Sequence, residues 1–220
     1  MEKDRRISRR TLRLLGLAAI AGALAGALGV YFMPSGAGNG IASNDCGTAP
    51  AMASRLAPLA KGEVAAFQPA TDPDDLSGLT FKGPDGADTT LASFAGKTVL
   101  VNIWATWCIP CRTEMPALDR LEAAMGGKDF QVVAVNIDLN AADRARAFLA
   151  GIGVDKLAFY SDPTSGLFAK LRGRGLALGL PTTLLVNGKS CRMGVVEGPA
   201  AWDSNDARAL IRAATQPAGA

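Results

Sequence analysis

"TVLVNIWATWCIPCRTEMPAL", residues 98 to 118, joins two kinds of chain at one point. Thr98 to Trp104 is apolar and β-branched except for Asn102, as in a strand covered on both faces of a sheet. From Pro110 onward, Met115, Leu118, Leu121 and Met125 recur at helical spacing. Cys108 and Cys111 therefore stand where a buried strand hands over to a helix. The first-turn N–H groups of a helix have no intrahelical partner, and together with the positive end of its dipole they favour a negatively charged sulfur. Cys108 is the expected nucleophile. Pro110 sacrifices no hydrogen bond in a first turn and stiffens it. Cys111, one helical turn on, can reach the Cys108 sulfur and serve as the resolving thiol.

Two other readings of the cysteine pair compete with this one. Half of a zinc site would need two more ligands, and a chain without histidine could draw them only from the distant Cys46 and Cys191, which is not structural zinc spacing. No metal is expected. Two inert core cysteines would explain neither Pro110 nor the strand-to-helix junction. The missing histidine also removes every triad or general base built on imidazole.

Outward from the motif, 220 residues with 49% hydrophobic content and a net charge of +3 describe one globular domain with additional chain. Lys3, Arg5, Arg6, Arg9, Arg10 and Arg13 crowd residues 1–13 against only Glu2 and Asp4, so the rest of the chain is close to neutral. A nucleic-acid surface is unsupported. Residues 14–33, "LLGLAAIAGALAGALGVYFM", carry no charge, and as a helix they would span roughly 30 Å, the thickness of a bilayer's hydrocarbon core. They are expected to form an uncleaved transmembrane anchor in the lipid bilayer, with the arginines on the cytoplasmic side and the remainder facing the periplasm. A cleaved secretory signal, or a twin-arginine signal from Arg9 and Arg10, would lead to the same compartment. Residues 34–45 read as a flexible linker, followed by the main domain over residues 46–220.

Within that domain Met52, Leu56 and Leu59, followed by Val64 and Phe67, predict a short packing helix. "LTF" and "TTL" flank a turn and predict a hairpin, while residues 130–138 form a second buried strand. Residues 140–153 predict a helix capped by Asn140, 157–160 a short strand and 162–171 another helix. A hairpin turned at Gly188 and a helix over 204–214 close the chain. This alternation predicts an α/β sandwich around a central mixed sheet.

"NIWATWCIPCRTEMPAL" resembles the thioredoxin superfamily, and within it the membrane-anchored TlpA, ResA and CcmG group of extracytoplasmic thiol-disulfide oxidoreductases. The resemblance covers roughly residues 75–216. It implies a thioredoxin fold with an N-terminal extension and a strand-helix insertion over residues 155–171, and a redox-active Cys108–Cys111 disulfide with no separate cofactor. Leu180, Pro181 and Thr182 look like the family's cis-proline loop, so Trp107, Ile109, Pro110, Leu180 and Pro181 are the implied substrate contacts. Trp104 matches a second aromatic position of the family, with plain core packing as its alternative. Glu114 matches an acidic residue of the group and either handles protons beside Cys111 or is an exposed first-turn carboxylate. Asn102 stands where cytoplasmic thioredoxins carry a buried aspartate, and an amide cannot accept that proton.

Assigning Cys108 to Cys111 leaves Cys46 and Cys191 either as free thiols or as a structural disulfide suited to an oxidising compartment. Such a pair resembles an extra bridge of TlpA-type members. The implied partners are disulfide-containing proteins of cytochrome oxidase assembly, namely a copper chaperone of the Sco type and the copper-binding oxidase subunit, with a membrane electron donor. A CcmG-like role on the apocytochrome c pathway is the alternative within the class. A Cu(I)-binding module is the alternative outside it. The basic loop Lys170, Arg172 and Arg174, ahead of Pro181, either steers an acidic partner or is a solvated surface.

Overall fold

The computed structural model describes residues 46–47 and 49–216. The expected basic head, anchor and linker lie outside these residues. Among the described residues no helix is long and apolar enough to cross a membrane.

Eight strands form one sheet: β1 (Gln68–Pro69), β2 (Thr80–Lys82), β3 (Asp88–Thr90), β4 (Thr98–Trp104), β5 (Phe130–Asn136), β6 (Tyr160–Ser161), β7 (Thr182–Val186) and β8 (Arg192–Glu197). Their order is β1-β8-β7-β4-β5-β6-β2-β3. Among the described residues the α-helices are α1 (Ala49–Leu56), α2 (Ile109–Met125), α3 (Ala142–Gly151), α4 (Gly166–Gly173) and α5 (Asn205–Thr215). β4 runs parallel to β5 and antiparallel to β7, and all seven of its residues are buried. Its unbroken apolar sequence is what a strand covered on both faces requires. This central strand delivers the chain to the N-terminus of α2.

Trp104 is fully buried and tilts against Phe148, so it serves the core. α2 continues through Pro116. Proline there removes one intrahelical hydrogen bond, at a helix whose face of Cys111, Met115, Leu118 and Leu121 is buried. Ser204 caps α5 by accepting from Ala207 N at 3.1 Å.

Several elements depart from the sequence expectations. The N-terminal helix stops at Leu56, because Pro58 cannot continue it, and the chain proceeds through 3₁₀ turns at Ala57–Leu59 and Gly62–Val64. Asn140 does not cap α3; its φ is 49°, and Ala141 occupies the cap without a side-chain hydrogen bond. The strand expected over 157–160 is displaced to Tyr160–Ser161, because the Asp119 carboxylate on α2 takes the N–H groups of Lys156 (2.7 Å) and Leu157 (3.0 Å). α4 starts four residues later than expected. Asp162 instead closes a turn, accepting from Thr164 N at 3.0 Å and Leu167 N at 2.6 Å. Lys170 and Arg172 consequently lie within α4, and Arg174 is its C-cap.

The N-terminal extension is held against the sheet edge. α1 touches β8 and α5, with Met52, Leu56, Val64 and Phe67 buried. A side chain at Gly194 would collide with the Phe67 ring, so β8 needs glycine there. Cys46 and Cys191 are disulfide-bonded across 145 residues of sequence.

Candidate active site

Cys108 is the N-cap of α2 and forms a disulfide with Cys111. Its Sγ accepts from the Cys111 backbone N–H at 3.3 Å. In the reduced chain the same first-turn donors would face a Cys108 thiolate. The loop in front of the cysteine is also fixed. The buried Asp138 carboxylate accepts from Thr106 N at 3.1 Å, and Asn136 Nδ2 donates to it at 3.0 Å. Cys108 N donates to Ala105 O at 3.1 Å.

A groove of about 500 Å³ opens beside Cys108. Trp107, Ile109 and Pro110 line it from the α2 start, Leu178, Gly179 and Leu180 from the loop before β7, and Phe168 and Arg172 from α4. The structure thus gathers Trp107, Cys108, Ile109, Pro110 and Leu180 at one surface. Pro181 follows, buried, through a cis peptide bond. Cys111 and Glu114 lie inside the molecule and do not line the groove.

Glu114 is not the exposed first-turn carboxylate that was one of its two expectations; it is 3% exposed. Asn102 Nδ2 donates to its Oε1 at 2.8 Å, while Trp202 Nε1 (3.1 Å) and Ala200 N (3.2 Å) donate to its Oε2. Burial dominates over these donors and pushes the Glu114 pKa up to about 7. A carboxyl group one helical turn from Cys111 is therefore poised to gain and lose a proton near neutrality. Asn102, unable to accept that proton, donates a hydrogen bond to the group that can, and its Nδ2 also donates to Thr183 Oγ1 at 2.9 Å.

Several supporting residues carried no local signal in the sequence. Trp202 and Ala200 reach Glu114 from the β8–α5 connection. Glu197 on β8 braces the groove loop, accepting from Leu178 N at 3.2 Å through one oxygen and from Thr182 Oγ1 at 3.0 Å through the other. Asp138 was expected only as the last residue of the strand over 130–138; β5 ends at Asn136, which leaves Asp138 in the following loop.

The Redoxin family model matches residues 61–206 of the chain. Thioredoxin-like protein YneN of Bacillus subtilis is 47% identical over 58 residues, which cover 26% of this chain and 34% of that protein. Thiol:disulfide interchange protein HelX of Rhodobacter capsulatus is 33% identical over 108 residues, covering 49% of this chain and 56% of HelX. In both cases the chain spans less than two thirds of the relative's length. A crystal structure described as a candidate thiol:disulfide interchange protein DsbE from Chlorobium tepidum superposes with a TM-score of 0.56 and 29% identity, covering 66% of this chain and 99% of that one. The mixed sheet and its flanking helices are thus those of a thioredoxin-like α/β fold.

Proposed function

We propose that this chain, which belongs to the Redoxin family, is a thiol:disulfide oxidoreductase that reduces disulfides of partner proteins through Cys108 and Cys111. One observation carries this: the two sulfurs are bonded across the first turn of α2, with Cys108 at the edge of an open groove and Cys111 beneath it. In the reduced form the Cys108 thiolate attacks one sulfur of the substrate disulfide, and the other leaves as a thiolate that takes up a proton. The resulting mixed disulfide is broken when the Cys111 thiolate attacks Cys108 Sγ. The second substrate sulfur departs, leaving Cys108–Cys111 oxidised. Two electrons pass to the substrate for each bond cleaved. Glu114 is the group we assign to exchange the Cys111 proton, on the strength of its burial and its raised pKa.

The apolar run at 14–33 and its basic flank support an anchored chain with this domain on the periplasmic face of the inner membrane. There the dithiol would have to be recharged by a membrane electron carrier, because that compartment is kept oxidising. The Cys46–Cys191 bridge supports a TlpA-like role on cysteines of a copper chaperone or of the copper-binding oxidase subunit. A full-length Cys111→Ser variant should stall as a mixed disulfide with its substrate. Capture of such copper proteins through Cys108 is expected, whereas capture of apocytochrome c proteins would move the role to the CcmG-like branch. A chain that bound Cu(I) tightly and turned over no disulfide would overturn the oxidoreductase role.

A further inference from the structure

We infer that the groove beside Cys108 selects an acidic substrate segment: an extended stretch with apolar side chains near its disulfide and an aspartate or glutamate positioned to meet Arg172. This rests on the oxidoreductase reading and specifies what that site takes. The apolar component is visible in what the fold leaves uncovered. Among the described residues the exposed large hydrophobic side chains are Trp107 (65%), Ile109 (73%), Leu139, Ile152 and Leu178 (76%), and Trp107, Ile109 and Leu178 line this one groove. They come from two separate segments, so no single local sequence preference explains their convergence. Covering them with apolar substrate atoms removes that surface from water.

The charged component is a single side chain. Trp107, Cys108, Ile109, Pro110, Phe168, Leu178, Gly179 and Leu180 carry no ionised group when the disulfide is formed, and Arg172 is the one charge in the lining. Its position in the last turn of α4 suits a cation, since the helix dipole is negative there. Yet no carboxylate among the described residues pairs with it. Its neighbour Arg174 behaves differently, being fixed to Asp74 at 2.9 Å. Phe168, one helical turn before Arg172, lines the same groove. Arg172 is exposed, so it attracts a carboxylate and repels a substrate lysine modestly, in a way that salt screens. The remaining cation of α4, Lys170, lines a different pocket beside Lys82 and Asp88, so the attraction centres on Arg172.

The test uses the full-length chain, purified and reduced. The probes are synthetic peptides in which a cysteine, flanked by leucine, is disulfide-linked to a chromogenic thiol. A single Glu, Gln or Lys is scanned through three positions on either side of the cysteine. At one or more positions kcat/KM should follow Glu over Gln over Lys, with Glu more than twofold above Lys at low salt and the ratio shrinking as salt rises. Arg172→Glu should invert the Glu-to-Lys ratio at that position, and Arg172→Gln should bring it to about one. Because each ratio is taken within one protein, partial misfolding of a variant cancels. A wild-type ratio within twofold at every position, or one that Arg172→Glu leaves unchanged, overturns the inference while leaving the oxidoreductase standing. If the reduced wild type cleaves none of the peptides, it is the oxidoreductase reading that fails.

Discussion

Among the described residues Glu114 is the one whose surroundings move it furthest from its ordinary state, and they tie stability to pH. In the folded chain it holds its proton to about pH 7, against an ordinary value of 4.5 that the unfolded chain recovers. Below 4.5 both states are protonated and the burial costs nothing extra. As pH rises, the unfolded chain releases its proton first, so the stabilisation present at low pH is lost up to the folded pKa and is gone above it. A tenfold difference in proton affinity between the two states is equivalent to about 1.4 kcal/mol, which makes the decline across this window on the order of 3 kcal/mol. The urea midpoint of the oxidised protein should therefore fall between pH 4.5 and 7 relative to that of Glu114→Gln, whose amide does not titrate. A difference between the two that stays flat over this range would mean a solvated carboxylate. The motif shows in the sequence where Glu114 stands, but not that it is buried. The donors that enclose it, Ala200 N and Trp202 Nε1, lie 86 and 88 residues away, beyond any local pattern.

Among the elements, the loop between α4 and β7 bears most directly on the groove, since it presents Leu178, Gly179 and Leu180. A short irregular segment holds one shape only if its backbone groups find partners; Glu197 on the neighbouring strand accepts from Leu178 N, and the Thr182 hydroxyl on β7 lies 2.7 Å from Gly179 O and 3.0 Å from Glu197. Glu197→Ala removes the acceptor of Leu178 N, while the Thr182 hydroxyl keeps Gly179 O at 2.7 Å. The loss should be about 1–2 kcal/mol of local stability, and hydrogen exchange at the Leu178 amide should accelerate about tenfold or more. Unchanged exchange there would show that the loop is held by its packing. The same kind of distant carboxylate explains where the element boundaries in the sequence were misread. β4 and β5 were legible because their apolar runs are contiguous, and α2 because its apolar period is regular. β6 and α4 were displaced because Asp119 and Asp162 take backbone N–H groups that a periodicity reading assigns to strand and helix. Asn140 was misplaced as a cap for a related reason: asparagine also suits the left-handed backbone it adopts here.

For the whole molecule, the alternation of strands and helices was enough to indicate the α/β layers, but not how the N-terminal extension is joined to them. That join consists of contacts distant in sequence: Phe67 over Gly194, Arg55 Nη2 donating to Ala213 O and Gln216 O at 2.8 Å each, and the Cys46–Cys191 bridge. The bridge closes so long a stretch of chain that its main effect should fall on the unfolded state. Over a separation of 145 residues the chain-entropy model sets a ceiling of about 5 kcal/mol, and loss of a native disulfide generally costs about 2–5 kcal/mol. Replacing both Cys46 and Cys191 by serine should lower the unfolding free energy, measured by guanidinium titration, by an amount in that range. In the native state Met52, Leu56, Val64 and Phe67 would remain buried and Arg55 would keep its carbonyl partners, so amide protection over 52–67 should survive under native conditions. Lost stability with retained protection would show that the covalent link acts through the unfolded chain. Protection lost over 52–67 at unchanged global stability would instead mean that the disulfide alone holds the extension to the sheet.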